Sequence, residues 1–211
     1  IVTDGSAGSN EPGVDLDELA QRRQAEQRAA AQALGVTDVR FLGHKDGTLE
    51  PTLAVRRELT RIIRELRPDR VVTQDPTTVF VNSGYVNHPD HRAAGEAAVY
   101  ATFPSAGTRP IFPELLDEGY EPHDVTELYL MLTLNPTHAV DISDVMDRKL
   151  EALLKHESQL GPDVADWVRE MSHEMGELAG YEYAETYHVI TLGAEPHEAI
   201  EQAYEQMAEA D

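Results

Sequence analysis

Cysteine is absent from this 211-residue chain, and lysine nearly so. Without cysteine there are no disulfides, thiolate metal sites or cysteine nucleophiles. A reducing, cytoplasmic location is the expectation that accords with this. Lysine occurs only at Lys45, Lys149 and Lys155. Seventeen Lys+Arg therefore stand against 39 Asp+Glu, a net charge of −22. A surface of that sign repels phosphate backbones and anionic lipid, which argues against nucleic-acid or membrane partners. Long apolar runs are missing too. The longest, residues 128–134, is interrupted by Thr133, whereas a membrane-spanning helix needs about 20 apolar residues. Nor does the start carry the charged-then-apolar pattern of a signal peptide.

What is present suits one domain over residues 1–211. Residues of the AVILMFWYC set make up 41%, and 14 glycines raise the apolar share to about 48%, within the globular range. A chain of this length buries a core without staples. Acid is concentrated late: between Glu157 and Asp211 the only cation is Arg169. A solvated acidic face and an adaptation to high salt both account for it. The chain opens on Ile1-Val2-Thr3-Asp4-Gly5 without an initiator Met. That reads as the end of a strand entering a turn, and so as an N-terminally truncated domain.

Helix formers fill residues 16–34 and stop at Gly35. Residues 36–42 are β-rich. Thr52 can cap a helix over 53–66 that Pro68 ends. Residues 70–74 read as a strand, 75–87 as a loop and 89–101 as a helix. Strands are expected at 126–134, 139–142 and 186–192. Helices are expected at 144–160, at 163–178 with Trp167 and Met171 facing inward, and at 195–208. Alternating strands and helices predict an α/β fold with a mostly parallel sheet. Ligands of such sheets bind outside the carboxyl ends of the strands. The loops at 3–13, 43–51 and 75–91 therefore frame the expected site.

The sharpest local signal is NHPDHRAAG at residues 87–95. Pro89 suits the first helical position, which makes His88 the N-cap. His88 and His91 then share one side of the helix start. Asp90 between them can accept a ring N–H and raise imidazole basicity. The alternative is that Asp90 only satisfies the helix N-terminus while both rings face solvent.

This stretch resembles a motif of the LmbE/PIG-L family of zinc-dependent de-N-acetylases. Five further segments follow in family order: Thr3-Asp4-Gly5; Arg23-Gln24-Ala25-Glu26 running to Ala33-Leu34-Gly35-Val36; Phe41-Leu42-Gly43 with Asp46-Gly47; residues 64–76, RELRPDRVVTQDP; and Lys155-His156-Glu157-Ser158-Gln159. The resemblance spans residues 1–160, and the acidic residues 161–211 add little to it. It implies a three-layer Rossmann-like fold and removal of acetyl groups from N-acetylglucosamine-type sugars or their conjugates. It also implies a bound metal, zinc or else ferrous iron. On this reading His91 is a metal ligand. His88 is an electrostatic stabiliser or general acid, and Asp90 tunes His88. Arg23 and Asp46 contact substrate, and Tyr85 reaches toward the oxyanion. His156 and Gln159 close the pocket. Arg23 and Asp46 also have plain readings, as a helix-surface cation and a turn aspartate. The family's A-H-P-D-D-E block, which gives two metal ligands and the general base, has no counterpart in the sequence.

Two other readings stay open. The chain can be a non-catalytic sugar-binding protein that keeps the pocket without the metal. The acidic last quarter can be a partner surface, for instance a homo-oligomer contact.

Overall fold

The computed structural model describes residues 1–161 and 163–193. The helix expected at 195–208 lies outside these. Among the described residues no helix is long and apolar enough to cross a membrane.

Helix α1 (Leu16–Ala33) starts where the Asp15 carboxylate accepts the amides of Asp17 and Glu18, an N-cap that satisfies two orphan donors. Helix α2 (Leu53–Leu66) is capped by Thr52, whose hydroxyl accepts the Val55 amide at 3.3 Å. It ends at Arg67 in the left-handed region, ahead of Pro68. Strand β1 (Arg70–Gln74) leads to a short hairpin, β2 (Phe80–Asn82) and β3 (Tyr85–Val86), and then to helix α3 (Pro89–Tyr100). After a wide turn over Ala101–Ala106 come the single-turn helix α4 (Glu114–Asp117), strands β4 (Glu127–Met131) and β5 (His138–Asp141), helices α5 (Met146–Leu153) and α6 (Val164–Ala179), and strand β6 (Ala184–Thr191).

The sheet order is β1-β4-β6-β5. β1 and β4 are parallel, and β6 runs antiparallel to both its neighbours, β4 and β5. Three of the four strands thus share one direction, with β6 inserted against them. The fold is α/β, as expected.

Apolar side chains gather in three clusters. Val55, Ala93 and Ala97 join α2 to α3, with Val2 and Leu59 against them. Ile63, Ala101, Ala106 and Val125 extend this layer beside Val71 of β1. Met146, Leu150 and Val168 join α5 to α6. The small residues of α3 serve close approach. A Cβ on Gly95 would collide with the Gln74 carbonyl of β1, so glycine lets the helix lie directly on the strand.

Four expectations are corrected. Residues 36–42 run extended but form no strand. Their pairing is limited to the Leu42 amide on the Ile1 carbonyl and the Ile1 amino group on the Arg40 carbonyl, continued by His44 on Val2 and Asp4 on His44. The 75–87 loop contains the β2–β3 hairpin, because the Asn82 side chain accepts the Gly84 amide at 2.8 Å and closes a turn. The helix expected at 144–160 begins with a 3₁₀ turn at Ser143–Val145 and ends at Leu153, whose carbonyl takes the His156 amide. Finally, Trp167 and Met171 face outward, at 59% and 38% exposure. Val168, Ser172 and Gly176 face the core instead. Gly176 decides the rotation: the carbonyls of Tyr181 and Glu182 occupy the space of its missing Cβ.

Arg64 is buried without a carboxylate partner among the described residues. Its Nε donates to the Ala106 carbonyl, and its Nη2 to the carbonyls of Ser105, Thr108 and Ile111, all at 2.9–3.0 Å. Burial, reinforced by Arg109, holds its pKa below the usual guanidinium value. One planar fork thereby orders the whole turn after α3.

Replacing Arg64→Ala removes the side-chain donor of four carbonyls, of which those of Ala106 and Thr108 keep the His123 and Ile111 amides, and is expected to lower unfolding free energy by roughly 2–4 kcal/mol, with Arg64→Lys recovering only part. Gly95→Ala is expected to cost about 1–3 kcal/mol through overpacking against β1. Urea denaturation of each variant checks both, and a wild-type midpoint would refute the corresponding contact.

Candidate active site

The loops at 3–13 and 43–51 and the start of α3 converge on one cleft of ≈ 420 Å³, within the range of small-molecule sites, about 300–1,000 Å³. Its chemistry begins at α3. Pro89 takes the first helical position and His88 is the N-cap, its Nδ1 accepting the Asp90 backbone amide at 3.2 Å. An Nδ1 that accepts leaves the neutral ring's proton on Nε2. His91 follows on the same side, with ring centroids 5.3 Å apart and planes at 45°. Among the described residues no hydrogen-bond partner engages the His91 ring. Desolvation by its surroundings, then repulsion from His88, hold its pKa below that of a free imidazole, against opposing pulls from Asp90 and Asp46.

Asp90 is 4% exposed. Its Oδ2 accepts the Gly47 amide at 2.6 Å and its Oδ1 the Leu49 amide at 3.1 Å. This corrects the expected contact with His88: both carboxylate oxygens hold the 47–49 turn, and the bond at the His88 ring comes from Asp90's backbone. The anchoring continues outward. Asp4 Oδ1 accepts the amides of Ser6 and Asp46 at 2.9 and 3.2 Å, and Asp46 Oδ2 accepts the Ala7 amide at 3.1 Å. Burial opposes the Asp4 charge, yet the amides of Ser6 and Asp46 outweigh it, and its pKa lies below the ordinary carboxylate value.

Arg23 projects from α1 into the 5–8 loop. Its two terminal nitrogens donate to the Gly5 and Gly8 carbonyls at 2.6 and 3.1 Å, and Nη1 stands 3.9 Å from Asp46. A Cβ on Gly8 would collide with the guanidinium. The loop is therefore moulded on the arginine.

Arg23, Asp46, His88, Asp90 and His91 all line the cleft. Tyr85 does not. It sits on β3, 47% exposed, and is not among the residues that line the cleft, where the resemblance had it reach toward the oxyanion. His156 and Gln159 do line the cleft. Their turn is fastened by Glu26, whose carboxylate accepts the Ser158 amide and hydroxyl at 2.8 and 2.7 Å. Sequence reasoning missed this use of Glu26, and it missed Gln24 and Gln27 as cleft residues. The signal was available: Gln24 and Gln27 are three apart on α1, and Arg23 and Gln27 four apart, which places them on one face. His44, His123, His173 and His188 bond to Glu58 or to backbone carbonyls at 2.7–2.9 Å, and none lines the cleft. His197 lies outside the described residues.

The unpartnered His91 imidazole is a suitable donor to a divalent metal. Among the described residues, however, no group of three or more His, Cys, Asp or Glu side chains is placed to hold an ion. A closed protein site ordinarily needs three or four ligands. These residues therefore do not enclose a metal by themselves.

The PIG-L family model, described as GlcNAc-PI de-N-acetylase, matches residues 1–102. The chain is 36% identical over 193 residues to diacetylchitobiose deacetylase from Thermococcus kodakarensis, covering 88% of this chain and 68% of that protein. It is 31% identical to a probable N-acetyl-alpha-D-glucosaminyl L-malate deacetylase 2 from Bacillus anthracis, covering 79% and 68%. The fold is similar to that of N,N'-diacetylchitobiose deacetylase from Pyrococcus horikoshii, with a TM-score of 0.81 and 31% identity over 90% of this chain and 71% of that one. The chain belongs to the PIG-L (LmbE) family.

Asp90→Asn leaves one acceptor oxygen for two amides and is expected to cost about 1–2 kcal/mol. Faster hydrogen exchange at the Gly47 and Leu49 amides is its signature. Unchanged protection of both amides would sink the anchoring role.

Proposed function

We propose that this chain is a metal-dependent deacetylase of N-acetylglucosamine-type sugars or their conjugates. Water adds to the acetamide carbonyl, the C–N bond breaks, and acetate and a free amine leave. The observation that carries the reading is the His88–His91 pair in the cleft, in a chain 36% identical to a diacetylchitobiose deacetylase.

A divalent metal, zinc or ferrous iron, supplies a Lewis acid and an acidified water when bound. His91 is the donor this chain offers it. His88 keeps Nδ1 on the Asp90 amide and presents Nε2–H. That N–H can stabilise negative charge growing on the carbonyl oxygen and can hand a proton to the leaving nitrogen. Asp90 acts through the loop it anchors and thereby fixes where Asp46 stands. Asp46 and Arg23 shape the wall against which sugar hydroxyls orient.

One observation favours a second reading, a sugar-binding protein without turnover. The described residues hold no group of three or more metal-binding side chains. Metal content and acetate release from a panel of N-acetylglucosaminides separate the two. Bound metal with acetate released supports the deacetylase. Sugar binding with neither supports the second reading.

Sub-stoichiometric divalent metal is expected on the chain as given, and His91→Ala is expected to remove what is retained. His88→Ala is expected to keep metal and lose turnover by about 10²–10⁴-fold, the range of a lost acid–base or oxyanion group. Metal analysis beside steady-state kinetics reads both, and the opposite pattern would exchange the two roles.

A further inference from the structure

Residues 154–160, the turn after α5, bring His156 and Gln159 to the cleft. Their own bonds are short-range. The amides of Leu154 and Lys155 donate to the Leu150 and Ala152 carbonyls, that of His156 to Leu153, and those of Gln159 and Leu160 to His156. Gln159 Nε2 stands 3.4 Å from His156 Nδ1, and Lys155 lies 3.6 Å from Glu151. All of these stay within the turn or reach back into α5. Among the described residues, the hydrogen bonds that tie this stretch to another part of the chain are the two from Ser158 to Glu26. The amide donates to Oε1 at 2.8 Å and the hydroxyl to Oε2 at 2.7 Å.

Glu26 does not face a ligand itself. Neither it nor Ser158 lines the cleft, and its side chain is 10% exposed. Burial opposes its charge, but the Ser158 hydroxyl and amide, helped by Arg22, outweigh burial and hold its pKa below the ordinary carboxylate value. An ionised carboxylate offers two acceptor oxygens, and the two Ser158 donors match them. Its place on α1 matters as much. Arg23, three residues earlier, holds the 5–8 loop through the Gly5 and Gly8 carbonyls, and Gln24 and Gln27 of the same helix line the cleft. Three residues span about 4.5 Å of helix axis. One rigid turn of α1 therefore sets the 5–8 loop and the 156–159 turn relative to each other.

We propose that Glu26 is a positioning residue for sugar binding, a role that rests on the deacetylase reading. It holds His156 and Gln159 as a ready-made wall for the sugar's hydroxyl groups. A carboxamide donates and accepts, and a neutral imidazole does one at each nitrogen, which suits hydroxyls. A wall ordered in advance spares the ligand the cost of ordering these two side chains. The wall touches the sugar in the ground state and the transition state alike, so its loss falls on KM and leaves kcat.

The test titrates Glu26→Ala, Glu26→Gln and Ser158→Ala by NMR with N,N'-diacetylchitobiose and assays acetate release beside it. Glu26→Ala is expected to raise Kd and KM about ten-fold while kcat stays within about two-fold of wild type. Hydrogen exchange at the Ser158 amide speeds up, and the Gly47 and Leu49 amides keep their protection. Glu26→Gln keeps the tether, its oxygen accepting the amide and its Nε2 donating to the Ser158 hydroxyl, and is expected within about three-fold of wild type. Ser158→Ala loses the hydroxyl alone and falls between; it carries the test if Glu26→Ala does not fold. Wild-type Kd in Glu26→Ala overturns the proposal. So does Glu26→Gln binding as weakly as Glu26→Ala, a fall in kcat at unchanged KM, or no sugar bound by the wild type. Weakened binding in a chain that releases no acetate overturns the deacetylase reading and leaves the role of Glu26 standing. Acetate released by wild type and Glu26→Ala at the same KM overturns the role of Glu26 alone.

Discussion

The buried Asp90 carboxylate is the joint on which the cleft turns. It sits in the first turn of α3, where the helix dipole favours its charge, and spends both oxygens on the amides of Gly47 and Leu49. That holds the turn after residue 46 against the start of α3. Asp46 is thereby fixed, and it accepts the Ala7 amide of the neighbouring loop. Asp4 takes the Asp46 amide, and Arg23 braces the same loop through Gly5 and Gly8. Three loops far apart in sequence become one wall through bonds from charged groups to backbone amides and carbonyls. Such bonds run stronger than neutral ones.

A division of labour follows within four residues. Asp90 is satisfied by the loop and His88 Nδ1 by a backbone amide, which leaves His88 Nε2 and the whole His91 ring open to the cleft. Structural demands are met by the groups that face the protein, and the chemistry is left to those that face the cavity. The glycine at 95 makes this placement possible, since α3 reaches the sheet only where no Cβ stands against the Gln74 carbonyl.

Electrostatics sets the character of the rest. The acidic surface disfavours the approach of anions, and the one arginine lining the cleft among the described residues is used to build it. The arginine buried elsewhere, Arg64, is likewise consumed by backbone carbonyls. In a chain with so few cations, both of these guanidiniums serve loop architecture, a role that neither composition nor helical spacing announces.

Much was legible in the sequence where local rules govern. Strand β1 falls at the expected residues, α2 carries its Thr52 cap, and Pro89 with His88 forms the α3 start. These depend on neighbours in the chain: a hydroxyl three residues from an amide, a ring lacking an N–H, apolar periodicity. The gathering of His88, His91, Arg23 and Asp46 was legible through motif order. Only the tertiary structure decided which carboxylate oxygen meets which amide, that Tyr85 stays on its hairpin outside the cleft, that Glu26 holds the 156–159 turn, and that α6 turns Trp167 outward. Each of these depends on a partner distant in sequence, a carbonyl, an amide or the room left by a missing Cβ, and residue order carries no distance to such a partner until the chain has folded.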